Sequence, residues 1–275
     1  MLAIPLITLQ AVVEVAIGGF IALFITDLTR QVTRGFLAST GGVLVLIGGL
    51  GLLGQVYLPD PSHLTDHPLS LSWLHTSLRY TAVFLATFVL YLVAVYLRPA
   101  ALHVILGILA TVGGVATLLA AAFTYPTPGW GAAGSGVSFA LSAVIVGTVT
   151  TAMLLGHWYL VVPNLSTRPL YILLGIVLGA LVAQAALDAA ALYLLAGHGT
   201  VAGRADILSG GYRVTFWMHV GAGIALPLAI TAMTVQSTRL RSLMSATGLL
   251  YVAVVLTLVG QVTGKVIFFN GNLPL

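Results

Sequence analysis

Residues 4–25 read IPLITLQAVVEVAIGGFIALFI, an apolar run whose only charge is Glu14. A hydrocarbon core roughly 30 Å thick needs about 20 such residues in a helix. The run is therefore long enough to cross a membrane. Seven more runs of this kind follow, near residues 36–57, 74–97, 100–123, 137–161, 169–196, 212–235 and 243–269. The pattern predicts an all-α integral membrane protein, a bundle of eight transmembrane helices forming a single domain over residues 1–275.

Composition agrees. The 275 residues include ten Lys and Arg, six Asp and Glu and no cysteine; 59% are hydrophobic and the mean hydropathy is +1.11. Ordinary soluble domains carry about a quarter charged residues. Without cysteine the chain holds no iron–sulfur cluster by thiolates, no thioether-linked haem and no disulfide. The start, Met1-Leu-Ala-Ile-Pro, lacks a basic leader region, so the first run reads as a retained first helix. There is no Walker loop, GxSxG elbow or HExxH pair.

The links between runs are short. Residues 26–34 are basic, 59–72 carry prolines and His63 and His67, 125–135 are rich in Pro, Gly and Trp, and 197–211 are rich in glycine. Arg30, Arg34, Arg98, Arg168, Arg239 and Arg241 follow the odd-numbered runs. By the positive-inside rule this places both termini outside, with Arg204 and Arg213 counting against it. Loops facing inward account for the basic pI of about 9.6 without nucleic acid as a partner. Trp73, Trp130, Trp158 and Trp217 lie at run ends, as in an interfacial belt. The paired glycines read as close helix packing.

Ionisable residues inside a bilayer are expensive and mark pathways, cofactors or partners. Few qualify here: Glu14 in the first run, Gln55 and Tyr57 ending the second, His75 and Arg79 opening the third, Gln184 and Asp188 in the sixth, His219 in the seventh, and Gln261 and Lys265 in the eighth. The proposed topology brings Gln55, Tyr57, His75, Arg79, His219, Gln261 and Lys265 toward the outer face. His75 with Arg79, and Gln261 with Lys265, are four apart and share a helix face. Such a layer suits a quinone, whose carbonyls need donors, whose oxidation needs a proton acceptor and whose tail needs an apolar cleft. The same residues also suit the plainer tasks of tying helix ends together and snorkelling to the interface.

Two stretches carry a family resemblance. The first helix reads Pro5-Leu6 and then Glu14-Val15-Ala16-Ile17-Gly18-Gly19-Phe20-Ile21. The last ends Gly260-Gln261-Val262-Thr263-Gly264-Lys265-Val266-Ile267-Phe268-Phe269. Both resemble the DmsC-like membrane anchors of DMSO-reductase-type oxidoreductases, related in role to the NrfD and PsrC anchors. In that family the first helix has a Pro-Leu start and a Gly-Gly-Phe-Ile step, and the last has a Gly-Glu-x-x-Gly-Arg-x-x-Phe-Tyr ending. The resemblance covers about the first 60 and last 20 residues.

The resemblance implies a quinol-binding subunit without its own haem. It would dock on a ferredoxin-like iron–sulfur subunit and a molybdopterin catalytic subunit in the inner membrane, exchanging electrons with quinone or menaquinone. Glu14 falls where the family has a polar residue, and Gln261 and Lys265 replace a Glu and an Arg. Tyr57-Leu58-Pro59-Asp60-Pro61 stands where the family has His-Leu-Gly-x-Pro, whose His is associated with quinol binding. His63, His67 and His75 are candidates to replace it. Because the amide of Gln261 takes no proton near neutral pH, proton handling falls to Glu14.

Other readings stand beside this one. His103 opens the fourth run and His157 closes the fifth, both about 12 Å inside the midplane; with His75 and His219 near the other face they make candidate ligands for b-type haems. Asp188, Gln184 and Glu14 would serve a proton- or ion-coupled transporter, whose expected inverted repeats and paired helix breaks are not evident around the single mid-span Pro227. A purely structural anchor would use none of these groups catalytically. The His63–His67 loop, with two prolines about it, reads as a surface against a partner subunit rather than a zinc site.

Overall fold

The computed structural model describes residues 3–58, 64–97, 100–198 and 207–275. Among them there is no strand, and eight helices are long and apolar enough to cross a membrane: α1 (Ile4–Leu28), α2 (Arg34–Val56), α3 (Leu71–Leu97), α4 (Ala100–Thr124), α5 (Gly131–Val161), α6 (Arg168–His198), α7 (Arg213–Arg239) and α8 (Leu243–Gly271). The chain is a multi-pass membrane protein. Eight crossings bring the start of α1 and the end of α8 to one membrane face, called the terminal face below. Arg98, Arg204, His63 and most of the glycine-rich link lie outside the described residues.

Helix ends follow local chemistry. Pro5 sits in the first turn of α1, where its missing N–H costs nothing. Thr33 caps α2 by accepting from the Phe36 N–H at 3.2 Å. Arg30, Arg241 and Asn272 take left-handed backbone at φ near 56°, 56° and 55°, ending α1, α7 and α8. The largest departure from the sequence reading is α5, which starts at Gly131 rather than near 137. Its first turns are Gly, Ala and Ser, weak in hydropathy yet anchored: the Ser135 hydroxyl lies 2.6 Å from the Tyr125 carbonyl, to which it donates.

α1 is the central post. In its most apolar window 78% of residues are buried, against 33% in α7 and in α8. It packs on α5 through bare backbone: a Cβ at Gly147 would overlap the Gly18 and Gly19 backbone, and one at Gly18 would overlap the Ala143 carbonyl. At the same crossing Thr151 donates to the Gly19 carbonyl at 3.1 Å. With no hydrophobic drive between helices in lipid, close packing of small residues and such cross-helix bonds hold the pair. On the other side, Phe20 and Phe24 meet Phe84, Phe88 and Tyr91 of α3 in an aromatic cluster with centroids 4.4 to 6.5 Å apart.

α7 is not a regular helix. Residues His219–Ala225 form a π-helical segment, and the Leu226 N–H reaches back five residues to the Gly221 carbonyl. Pro227 follows at once. Its ring clashes with a carbonyl four residues back in α geometry, and the wider turn relieves that clash. The proline thus marks a change of helical register in mid-span.

Glycine packing at the α1–α5 crossing yields a prediction. Gly147→Ala should lower stability in detergent by roughly 1–3 kcal/mol through overpacking, whereas Gly175→Ala, in open space, should leave the thermal midpoint unchanged.

Candidate functional site

The first and last helices meet in space. Glu14 of α1 and Lys265 of α8 form an ion pair with Nζ 2.6 Å from Oε2, and both side chains are buried. Ser142 of α5 completes the contact: its hydroxyl donates to Glu14 Oε2 at 2.5 Å and accepts from Lys265 Nζ at 3.0 Å. Gln10, one turn before Glu14, donates to Oε1 at 2.9 Å. Lys265 Nζ also lies 5.7 Å from the Phe139 ring centroid. Both carboxylate oxygens and the ammonium thus find partners within the protein, which the absence of water in a bilayer requires.

A second buried cluster lies on the neighbouring face of α8. Both ring nitrogens of His219 are engaged, Nδ1 donating to the Gly260 carbonyl at 2.8 Å and Nε2 lying 3.0 Å from Asp188 Oδ2. Gln184 donates to Asp188 Oδ1 at 2.8 Å. Adjacent residues of α8 therefore serve different clusters, Gly264 against the His219 ring and Lys265 against Glu14.

The remaining candidates do not join either cluster. Gln55 and His75 line a groove of about 320 Å³ between the end of α2 and the start of α3, walled by Val56, Leu58, Leu71, Leu74 and Leu78. Gln55 Oε1 there is buried and has no hydrogen-bond partner. Tyr57 and Arg79 are exposed. Gln261 is buried one helical turn before Lys265, and its Nε2 has no partner. The expected single layer is thus divided in three: a groove at Gln55 and His75, the Glu14–Lys265 pair, and the Asp188–His219 pair. Sequence depth placed these groups at one level but said nothing of which way each points.

The histidines proposed as haem ligands each have other neighbours. An axial ligand needs a free ring nitrogen aimed at the iron, and both nitrogens of His219 are engaged. His103 faces Asp27 at 3.5 Å, His157 lies 3.4 Å from the Tyr251 hydroxyl, and His75 is in the groove. His219 as placed does not suit axial ligation.

His67 corrects another expectation. It is buried rather than displayed on a loop surface, with its ring 4.9 and 5.7 Å from those of Phe268 and Phe269. Neither ring nitrogen has a hydrogen-bond partner. Burial lowers its pKa more than the nearby Tyr125 backbone and Asn272 side chain raise it.

Sequence reasoning missed Gln10, Ser142, and Asp27 with Tyr91. Gln10 stands four residues before Glu14, a spacing that places both on one helix face. Ser142 gave no signal within its own helix. Asp27 lies at the end of α1 and takes a 2.9 Å hydrogen bond from the Tyr91 hydroxyl, a contact that only packing creates. Compared with family models and with curated proteins, the chain matches none.

Two outcomes follow. Lys265→Met strands a buried carboxylate and should cost roughly 3–5 kcal/mol; the double variant Glu14→Gln with Lys265→Met should recover most of it, as read by melting in detergent. Folding also becomes less favourable below the ordinary histidine value of 6.5, because the unfolded chain takes up the His67 proton more readily than the folded one; the loss ends at the lower folded value. His67→Phe should flatten the stability curve in that window and leave it unchanged above.

Proposed function

We propose that this chain is the quinol-exchanging membrane anchor of a multi-subunit respiratory oxidoreductase. It passes electrons between the quinone pool and an outward-facing iron–sulfur subunit, which in turn serves a molybdopterin catalytic subunit. The terminal face is the outer face of the inner membrane in this reading, as the arginine distribution suggests.

The observation that carries the proposal is the Gln55–His75 groove. It offers apolar walls for a ring and an isoprenoid tail, the Gln55 side chain and one imidazole, within the usual size range of ligand sites. The Gln55 amide hydrogen-bonds the quinol ring oxygens, and His75 takes the proton that leaves a quinol hydroxyl. Quinol oxidation to quinone releases two electrons and two protons; the electrons pass to the iron–sulfur subunit, one proton to His75 and the other to water at the groove mouth. Further support comes from the motifs of α1 and α8 that resemble the DmsC-like anchors, which the Glu14–Lys265 pair ties into one unit.

A proton-coupled transporter is the second reading. Two buried acid–base pairs and the π-helical segment of α7 favour it.

Gentle isolation of the tagged protein from its native membrane, with mass spectrometry of its companions, separates the two. Iron–sulfur and molybdopterin-type companions support the anchor; recovery of the chain alone supports transport and defeats the anchor. In the intact complex, Gln55→Leu and His75→Ala should each cut turnover with menaquinol by at least about tenfold, while turnover with a soluble artificial donor stays unchanged. Equal turnover with menaquinol in both variants would place the quinol elsewhere.

A further inference from the structure

The setting of His219 determines where one proton must be. Gly223 and Gly260 bring the backbones of α7 and α8 together, since a Cβ at Gly260 would overlap the Gly223 backbone. A Cβ at Gly264 would meet the His219 ring at 2.7 Å. The imidazole consequently lies against bare α8 backbone, within 2.8 Å of the Gly260 carbonyl. A carbonyl oxygen can only accept, so Nδ1 carries a hydrogen. The other nitrogen, Nε2, then faces Asp188 Oδ2 at 3.0 Å. An imidazole lone pair and a carboxylate oxygen are both acceptors, and they sit at this distance only with a proton between them. Whether that proton belongs to an imidazolium or to a carboxylic acid, the pair holds one proton and has no net charge.

Among the described residues no charge competes for that proton. α6 presents Asp188 and Gln184, and α8 presents the Gly260 carbonyl and Gly264. Lys265, next along α8, is committed to Glu14 and Ser142. On α7 itself Arg213 is exposed, Gly223 is uncharged, and Arg239 stands at the far end. Two open hydrogen-bonding groups lie beside the pair in sequence, Gln184 Oε1 one turn from Asp188 and Gln261 Nε2 next to Gly260, and both side chains are buried. A water satisfies such groups, and a water beside an acid–base pair lets its proton exchange.

We infer that Asp188 and His219 form a proton-loading site in the membrane interior, distinct from Glu14 and Lys265, whose ligand is the proton itself. Loading gives the neutral pair; release leaves one net negative charge. The assignment rests on geometry and does not depend on the quinone reading.

The test uses the full chain in lipid nanodiscs with ¹⁵N-labelled histidine, the His219 resonances being assigned by their loss in His219→Gln. At neutral pH the pair should show either an imidazolium-type Nε2 by NMR or a carboxylic C=O stretch by infrared spectroscopy that Asp188→Asn abolishes. Transfer to D₂O should exchange that proton and shift the same signal by its isotope effect. A bare Nε2 facing an ionised Asp188 at neutral pH would overturn the site, and so would a signal that D₂O leaves unshifted. The wild-type spectra decide both points even where Asp188→Asn fails to fold.

Discussion

A charge in a bilayer must find its partner inside the protein, and this constraint organises the centre of the bundle. Glu14 is buried halfway along the most enclosed helix, where an unpaired carboxylate would be prohibitively costly. Lys265 reaches it from α8 and Ser142 from α5, so one ion pair fixes the relative height of three helices. The contact of α1 with α5 depends equally on Gly18, Gly19 and Gly147, which let the backbones approach closely enough for a serine hydroxyl to serve both charges. A buried ion pair of this kind is weak evidence of stability by itself, since desolvation offsets much of its Coulomb energy; its firmer consequence is register.

The second cluster uses the same economy with different parts. Gly260 and Gly264 clear a place for the His219 ring on one face of α8, while Gln261 and Lys265 occupy the adjoining face. A single helix therefore separates two acid–base pairs of similar depth. The π-helical turn that begins at His219 exists because Pro227 follows it, so a backbone irregularity and a buried titratable group coincide. Such coincidences are common at functional sites.

Function divides along the same lines. The Gln55–His75 groove has the features a hydrophobic redox substrate needs, whereas the two central pairs have the features of proton holders. In the anchor reading these are complementary, since quinol chemistry moves protons as well as electrons. In a transporter the central pairs would be the whole mechanism and the groove incidental. The protein's companions in the membrane therefore bear on every other assignment.

The sequence by itself determined the fold class and the number of spans, because hydrocarbon thickness sets a length that apolar runs either meet or do not. It also singled out Glu14, Asp188, His219 and Lys265, because charge inside such runs is rare and costly. Helix ends were less legible: weakly apolar turns such as those opening α5 are helical through contacts such as Ser135 with Tyr125. Pairing was decided by tertiary structure alone. Lys265 meets Glu14, and His219 meets Asp188, through packing of helices distant in sequence, and the direction a side chain points from its helix depends on that packing. The same is true of His67, which sequence placed on a loop surface and which the Phe268 and Phe269 rings enclose.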